Sequence, residues 1–368
     1  MKNKLKFLVV VGARPNFIKI APLFEEFKKY KSIKPILVHT GQHYDFEMSQ
    51  VFFDGLRIPK PNYNLGVGSG SHGVQTAKTM LKLEPVVLKE KPDIIVVVGD
   101  VNSTIAAALV AKKLNIPLAH IEAGMRSYDS NMPEEINRIL TDQISDFLFV
   151  TSESDKKNLL REGIDSKKIF IVGNIMTDTL LKMINKATGK ILEKLSLKKN
   201  NYAFLTIHRA ENTNKKEILK GILEAISRIS ERIPIVFPIH PRTKKNVEEF
   251  GIETILKSQG LITIPPVSYI DSIGLMKNAI FVLTDSGGIQ HETAILGVPC
   301  LTLRKNTEWS ITIKSGSNRL IGVSKVKIIK AVFDVIGRKK KRIKTIKYWD
   351  GKTSQRIVRL LYKKINAR

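Results

Sequence analysis

The stretch IIVVVGDVNSTIAAALVAKKLNIPLAHI, residues 94–121, contains a complete strand–helix–strand unit. Its two ends, 94–98 and 118–121, are short apolar runs without polar alternation, as is typical of parallel strands that are buried on both faces. Residues 103–114 between them have the spacing of a helix. Apolar runs of this kind alternate with amphipathic helical segments along the chain, and this alternation predicts an α/β fold with parallel sheets.

The alternation restarts near Tyr202, after a lysine-rich stretch, 182–201, that contains no predicted strand. We therefore predict two doubly wound, Rossmann-like domains that face a cleft, with boundaries at 1–181 and 202–347 and a linker between them. Ligands of such sheets bind beyond the carboxyl ends of the strands, so functional residues should follow strands. The other predicted strands are 7–11, 35–40, 147–150, 169–172, 203–207, 235–239, 262–264, 280–284, 300–303 and, more weakly, 320–323.

Composition excludes several classes of protein. The 368 residues are 43% hydrophobic, which suits two buried cores, and the sequence lacks an apolar run long enough to predict a membrane span. The single cysteine, Cys300, excludes an intrachain disulfide and favours a reducing cytoplasm. The lysines before 7–11 resemble a secretion signal, but the apolar segment is short and Arg14 stands where a cleavage region is neutral. We expect a cytoplasmic protein.

The net charge of +27 favours anionic partners such as phosphorylated metabolites. Residues 338–368 hold 13 basic residues and one acid, Asp350. The basic run 338–342 is most simply a solvated segment, and a nucleic-acid or membrane-surface patch is the alternative. Aromatic residues are not interleaved with these cations, so base stacking has no support, and no specific nucleic-acid partner is predicted.

The first predicted strand is followed by Gly12-Ala13-Arg14-Pro15-Asn16 and a helix that carries Lys19. Gly12 permits a tight turn and Asn16 could cap the helix. Arg14 and Lys19 would then flank a helix N-terminus, which is a natural anion site. The alternative is a capped turn with surface charges.

Acidic residues follow two central strands: Asp100 comes after 94–98 and Glu122 after 118–121. A carboxylate at a strand end can be partly desolvated, which suits it to general acid or base chemistry. Glu134 and Glu135 open a predicted helix, where they either contribute to the same site or simply favour the helix dipole.

The strand ends of the second half suggest phosphate binding. His208 and Arg209 follow 203–207 and could donate to a phosphate, although a packed loop histidine is the alternative, and His240 repeats the pattern less convincingly. The clearest local signal is TDSGGIQHE, residues 284–292. There Ser286, Gly287 and Gly288 would form a phosphate cradle at a helix start, and Glu292 could hold a ribose.

Two stretches match a cofactor motif or a metal motif in part, but the residues around them do not fit either motif. Residues 68–73 match GxGxxG by letters, but 59–65 before them contain no predicted strand, so we predict a loop that enters a helix and no NAD. His291-Glu292 begins like a zinc-protease motif, but Ile295 stands where the second histidine is required. We therefore predict no metal and no cofactor.

Taken together and in order, the motifs resemble the non-hydrolysing UDP-N-acetylglucosamine 2-epimerases over roughly residues 5–325. The motifs that carry the resemblance are GARP (12–15) with Lys19, GD (99–100), HIEAGMR (120–126), PEEINR (133–138), HRAEN (208–212) and DSGGIQ (285–290). The resemblance implies a glycosyltransferase-B-type fold, with 348–368 as a closing helix that packs back on the N-terminal domain. It also implies a cytoplasmic homodimer that interconverts UDP-GlcNAc and UDP-ManNAc for surface polysaccharide.

The family mechanism is anti elimination of UDP to 2-acetamidoglucal, followed by re-addition of UDP to the other face. The resemblance assigns Asp100, Glu122 and Glu134 to acid–base chemistry and places His208 near the departing phosphate. The UDP-sugar-binding residues that it implies are Arg14, Lys19, His208, Ser286, Gly287, Gly288 and Glu292. The departing diphosphate would be stabilised by cations and N–H groups instead of a metal.

The sequence departs from the family pattern at two places. Thr307-Glu308-Trp309-Ser310 stands where many members have Thr-Glu-Arg-Pro, so an apolar ring replaces a cation. Relatives that act on modified sugars, such as UDP-2,3-diacetamido-glucuronic acid, resemble this form, and such a sugar is the alternative substrate. Gln42-His43 is followed by Tyr44, where substrate-activated members have arginine.

A glycosyltransferase of the same fold is a further alternative, though it does not need three acids in the N-terminal domain.

Overall fold

The computed structural model describes residues 4–41, 58–187, 189–337 and 343–367. Gln42–Tyr44 and the basic run 338–342, both singled out above, lie outside these ranges. The chain divides into two units: Met1–Thr179 together with Lys347–Arg368, and Leu180–Ile346. The predicted linker, 182–201, belongs to the second unit and includes a short helix. No helix in the described ranges combines the length and apolar character that a bilayer crossing needs.

The first unit has, within its described residues, a parallel sheet of seven strands in the order β3-β2-β1-β4-β5-β6-β7. Its strands are β1 (Leu5–Val11), β2 (Ile33–His39), β3 (Tyr63–Asn64), β4 (Ile94–Val98), β5 (Leu118–Ala123), β6 (Phe147–Val150) and β7 (Ile169–Ile171). The central strands are buried along their length, which explains their continuous apolar sequence.

Helices connect and cover these strands. They are α1 (Arg14–Phe27), α2 (His72–Glu90), α3 (Asn102–Lys113), α4 (Pro133–Ile144), α5 (Glu153–Arg161) and α6 (Ile175–Ile184), together with α15 (Thr353–Asn366) near the C-terminus. The helix α15 contacts α1 within this unit. Asp178 joins it to the unit, since its carboxylate accepts hydrogen bonds from the backbone N–H groups of Thr353 and Ser354.

One sequence prediction in this unit is wrong. Residues 59–65 were expected to contain no strand, yet Tyr63–Asn64 forms a two-residue parallel strand against β2. Such a short edge strand has almost no hydrophobic signature, because its stability comes from hydrogen bonds to its neighbour. The GxGxxG-like loop follows it and leads into α2, whose N-cap is Ser71. The edge position still differs from the buried first strand of a dinucleotide fold.

The second unit repeats the architecture. Within its described residues a six-stranded parallel sheet has the order β10-β9-β8-β11-β12-β13. Its strands are β8 (Ala203–Thr206), β9 (Ile235–Pro238), β10 (Leu261–Ile264), β11 (Val282–Thr284), β12 (Cys300–Thr302) and β13 (Asn318–Leu320). The last of these begins two residues before the weak prediction at 320–323 and overlaps it at Leu320. The predicted α/β class with two doubly wound sheets is thus confirmed.

Helices precede, connect and follow these strands. They are α7 (Lys190–Lys194), α8 (Ala210–Thr213), α9 (Lys216–Ser230), α10 (Pro241–Glu249), α11 (Tyr269–Lys277), α12 (Gly287–Leu296), α13 (Ser310–Lys314) and α14 (Lys325–Ile336). One face of α9 is apolar at helical spacing and joins the core through Leu219, Ile222 and Ile226, each fully buried.

Candidate active site

Each sheet reverses its strand order once, and several predicted site residues follow the two strands at that point, whereas Glu122 lies near the end of the neighbouring strand β5. In the first unit these strands are β1 and β4, which pair in parallel. Asn16 connects the loops after them: its Oδ1 accepts from the N–H of Ala13 at 3.0 Å, and its Nδ2 donates to the carbonyl of Val98 at 3.1 Å. Asn16 is the third residue of α1, not its N-cap as expected, because the N-cap is Ala13.

Lys19 and Glu122 form a buried ion pair, with 2.5 Å between Nζ and Oε2. Burial alone would lower the pKa of Lys19, but the nearby carboxylates of Glu122 and Asp100 outweigh it and raise that pKa. Lys19 is therefore a permanent cation next to both acids.

Glu122 has an unusual backbone and a free oxygen. Its φ of +70° lies in the left-handed region, at an irregularity in the pairing of β5 with β6. Strain of this kind concentrates at functional sites. The side chain is 5% exposed, and its Oε1 has no hydrogen-bond partner among the described residues. A buried carboxylate oxygen without a partner is costly, so a bound molecule would satisfy it.

Asp100 is held by α4. Arg138 donates to its Oδ2 from Nε at 3.0 Å and from Nη2 at 2.7 Å, and Asn137 donates to the Asp100 carbonyl at 2.9 Å. Burial would raise the pKa of Asp100, but the charges of Arg138 and Lys19 prevail and lower it. Asp100 is thus ionised at neutral pH, and 30% of its side chain remains exposed.

The two acids at the start of α4 have different environments. Glu135 is 2% exposed, and its carboxylate accepts from the N–H groups of Ser127 and Tyr128 and pairs with Arg138. It is therefore engaged in positioning Arg138. Glu134 is half-buried in the first turn of the helix. Of the two, Glu134 is the one with a surface still available to a ligand.

In the second unit the reversal point lies between β8 and β11, and Asp285 connects the loops after them. Its fully buried carboxylate accepts from the backbone N–H groups of His208 and Arg209 and from Nδ2 of Asn212. The Nδ1 of His208 lies 3.2 Å from Asp285, and 41% of the His208 side chain is exposed. His208 is thus anchored at its backbone and presents its ring outward.

The helix α12 begins with the predicted phosphate cradle. Ser286 is the N-cap, with no side-chain cap bond, and its N–H donates to the hydroxyl of Thr284. A Cβ placed on Gly287 would collide with Oε1 of Glu308, whereas one on Gly288 would meet nothing closer than 3.8 Å. Gly287 therefore lets the Glu308 carboxylate lie close to the helix start, which exposes N–H groups suited to an anion.

Glu292 lies one turn further along α12 and is 5% exposed. Tyr269 donates its hydroxyl to Oε1 of Glu292 at 2.8 Å. Burial raises the pKa of Glu292 to about 7, although the bond from Tyr269 opposes the shift. Glu292 is thus a buried acceptor on the helix that begins at the cradle.

Trp309 lies beside this helix. It is 6% exposed, and its ring centroid is 4.9 Å from that of His291 on α12. Its neighbour Glu308 pairs with Arg304 at 2.9 Å and lies 3.9 Å from Arg209. The segment that departs from the family pattern therefore borders the phosphate cradle.

The structure brings Lys19, Asp100 and Glu122 together in the first unit, and His208, Ser286 and Gly287 near a common strand reversal in the second. For Arg14 only the backbone is described, as the first residue of α1. Sequence reasoning missed the roles of Asn137, Glu135, Asp285 and Glu308. The spacing of three residues between Glu135 and Arg138 is a signal that could have indicated their ion pair. No cluster of metal-ligating side chains occurs in the described parts of the chain.

Comparison with known proteins identifies the family. The family described as UDP-N-acetylglucosamine 2-epimerase matches residues 25–362. The chain is 48% identical to the UDP-N-acetylglucosamine 2-epimerase of Methanocaldococcus jannaschii, over 97% of this chain and 99% of that protein. It is also 41% identical to the UDP-2,3-diacetamido-2,3-dideoxy-D-glucuronate 2-epimerase of Pseudomonas aeruginosa, over 98% and 100%.

Among solved structures, the crystal structure of the M. jannaschii UDP-GlcNAc 2-epimerase in complex with UDP-GlcNAc and UDP superposes with a TM-score of 0.88 at 47% identity. That match covers 98% of this chain and 100% of the other. The fold is thus of the glycosyltransferase-B type that the resemblance implied. Motifs, fold and relatives agree, and the chain belongs to the UDP-N-acetylglucosamine 2-epimerase family of isomerases.

Proposed function

We propose that this protein inverts the configuration at C2 of UDP-GlcNAc and so interconverts it with UDP-ManNAc, a precursor of surface polysaccharide. The reaction is an anti elimination of UDP with loss of the C2 proton, followed by addition of UDP to the other face of the 2-acetamidoglucal. The family membership and the M. jannaschii enzyme, whose structure holds UDP-GlcNAc and UDP, support this substrate.

The C2 proton is not adjacent to a carbonyl, so a carboxylate can remove it only as C–O cleavage builds positive charge at the anomeric carbon. Asp100 and Glu122 suit this task because one is held ionised by Arg138 and the other has a buried, unpartnered Oε1. Glu122 Oε1 beside Lys19 is the observation that carries the proposal: it is an acid–base group poised for a ligand. Glu134 is the third member of the proposed acid–base set.

The departing diphosphate needs positive charge and N–H donors. We assign this to His208 and to the start of α12, where Ser286, Gly287 and Gly288 leave backbone N–H groups for an anion. Glu292, with its buried acceptor oxygen, suits the ribose. Arg14 and Lys19 complete the proposed UDP-sugar-binding set.

The protein further acts as a homodimer in this proposal. The helix α2 exposes Val74, Leu81 and Leu88 by 45, 73 and 55%. Their spacing of seven residues places them in one stripe along the helix. The helix α4 exposes Ile136 and Leu140 by about half, and both helices pack on α3. An apolar surface of this kind favours a second copy of the chain as its occupant.

Light scattering tests the dimer. Leu81→Glu should convert a dimer to a monomer, because it buries a charge in the proposed interface. Lys157→Glu on α5 makes a charge change at an exposed site outside the stripe and should leave the dimer intact. A wild-type monomer at micromolar concentration would contradict this part of the proposal.

The reaction itself is tested in D2O. Incubation with UDP-GlcNAc should give UDP-ManNAc that carries deuterium at C2, as seen by NMR and mass spectrometry. A glycosyltransferase of the same fold would need an acceptor and would leave the C2 proton in place. Absence of exchange with every UDP-N-acetylhexosamine, in folded protein, rejects the epimerase.

Trp309 favours a second candidate substrate. Where many members carry arginine, this chain has a buried indole against His291, and the P. aeruginosa relative is named for a 2,3-diacetamido glucuronate sugar. A panel of UDP-sugars with and without a C3 amide and a C6 carboxylate discriminates the two. If kcat/KM is highest for the diacetamido glucuronate, that sugar replaces UDP-GlcNAc as the substrate.

A further inference from the structure

A buried network lies directly behind Asp100, in the first unit. His120, on β5, is fully buried; its Nδ1 lies 2.7 Å from Oδ1 of Asp142, and its Nε2 lies 2.8 Å from the carbonyl oxygen of Gly99. Asp142, on α4, is itself fully buried, and its Oδ2 accepts from the N–H of Gly124 at 3.0 Å and pairs with Arg126 at 2.7 Å.

Both partners of the His120 ring are hydrogen-bond acceptors. A peptide carbonyl cannot donate, and Asp142 is held as a carboxylate by Arg126, 2.7 Å from its Oδ2, and by the Gly124 N–H that donates to the same oxygen. For both short contacts to be hydrogen bonds, each ring nitrogen must carry a proton. Two acceptors at these distances are the arrangement that an imidazolium fits. Its charge is balanced, since Arg126 also pairs with Glu162 and the four groups together are neutral.

The hydrogen bond from His120 to the carbonyl of Gly99 holds the peptide group that joins Gly99 to Asp100. Gly99 has a φ of +70°, and a Cβ there would lie 2.9 Å from Nζ of Lys19, so this turn is tightly enclosed. His120 fixes the carbonyl before Asp100, Asn137 fixes the carbonyl after it, and Arg138 fixes the side chain. The carboxylate is thus positioned from three sides.

We propose that His120 is a positioning residue that, as a doubly protonated ring, locks the Gly99–Asp100 turn and adds a positive charge behind the Asp100 carboxylate. This inference rests on the proposed function only for the catalytic role of Asp100. The positive charge of His120 is among the influences that lower the pKa of Asp100, with Arg138 and Lys19 stronger. Among the residues that the structure describes, the charged groups linked to His120 and Asp100 through ion pairs are Asp142, Arg126, Glu162, Arg138, Glu135, Lys19 and Glu122.

The protonation of His120 can be read without any assay of activity. In full-length protein labelled with 15N-histidine, the His120 ring, assigned by its loss in His120→Gln, should show two protonated nitrogens at neutral pH. A ring with a single protonated nitrogen overturns the proposal.

The effect on Asp100 is measured in a second experiment. In 13C-aspartate-labelled protein, the Asp100 carboxyl should titrate at higher pH in His120→Gln than in wild type, because a nearby positive charge is lost. Asp178→Asn is the matched control: it removes a buried carboxyl group of the same unit, on α6 where it accepts hydrogen bonds from α15, and should lower the melting temperature without moving the Asp100 titration. An unmoved Asp100 in His120→Gln overturns the proposal.

Kinetics complete the test. In His120→Gln, kcat should fall about tenfold or more with KM changed less than about threefold, since misplacing a reacting group costs rate more than binding. The acid limb of kcat/KM should move to higher pH. Should His120→Gln fail to fold, His120→Asn provides a smaller side chain for the same comparison. If wild type epimerises no UDP-sugar, the proposed function fails, while both NMR experiments still decide the role of His120.

Discussion

Arg138 donates two hydrogen bonds to a single oxygen of Asp100, from Nε at 3.0 Å and from Nη2 at 2.7 Å. Because both bonds end on Oδ2, the guanidinium fixes the carboxylate in the plane of its fork. The other end of Arg138 pairs with Glu135, which the backbone N–H groups of Ser127 and Tyr128 hold in place.

Asp100→Asn should reduce turnover at least about a hundredfold, in line with the usual contribution of general acid–base groups. Glu122→Gln should do the same, because the amide cannot take or give the proton. Initial rates with UDP-GlcNAc measure both. Asp165→Asn, an exposed acid in the same unit, is the control and should keep normal turnover. A near-normal rate in either site variant removes that residue from the acid–base set.

Arg138→Lys should move the acid limb of kcat/KM to higher pH. Asp100 must be ionised to act as a base, and Arg138 is the strongest influence that keeps its pKa low against burial. Lysine keeps a positive charge but lacks the two parallel N–H donors of arginine, so the pKa of Asp100 should rise. As the pH is lowered, activity should then be lost at a higher pH than in wild type. Arg138→Gln should move the limb further. A pH–rate profile that does not change in either variant contradicts this effect of Arg138 on Asp100.

The contribution of Asp155 to the free energy of unfolding should fall as the pH rises. It is 3% exposed, and burial raises its pKa to about 6, although Thr151 and Ser152 donate hydrogen bonds to it. The folded state therefore holds this proton more tightly than the unfolded chain, so its contribution is present below about pH 4 and is lost towards pH 6. A shift of this size corresponds to at most about 3 kcal/mol.

Asp155→Asn removes this titration. The free energy of unfolding of wild type, minus that of the variant, should fall between about pH 4 and pH 6, as denaturant unfolding at several pH values would show. A difference that stays flat across this range would show that Asp155 titrates normally in the folded protein.

Gly287→Ala and Gly288→Ala form a matched pair at the start of α12. The first Cβ would collide with Oε1 of Glu308, whereas the second would have its nearest neighbour at 3.8 Å. Gly287→Ala should therefore lower the melting temperature, and Gly288→Ala should maintain or raise it, because alanine in a helix loses less entropy on folding than glycine. Equal effects of the two substitutions on thermal unfolding would contradict the close contact with Glu308.

Sequence alone determined the α/β class, the two sheets and the strand ends that carry Asp100, Glu122, His208 and Ser286. This follows because buried parallel strands need continuous apolar runs, and because a chain that leaves such a strand places its next polar residues at the ligand-binding edge. The edge strand Tyr63–Asn64 was missed, since its pairing depends on backbone hydrogen bonds that leave little mark on side-chain pattern.

Only the tertiary structure decided how the acids differ. Glu134 and Glu135 are adjacent in sequence, but α4 turns one towards Arg138 and leaves the other half-buried. The free oxygen of Glu122 and the paired acceptors around His120 likewise depend on neighbours that are about 20 to 100 residues away in the chain. Hydrogen bonding and electrostatic shifts act through space, so residue type and local spacing could nominate these groups but could not assign their partners.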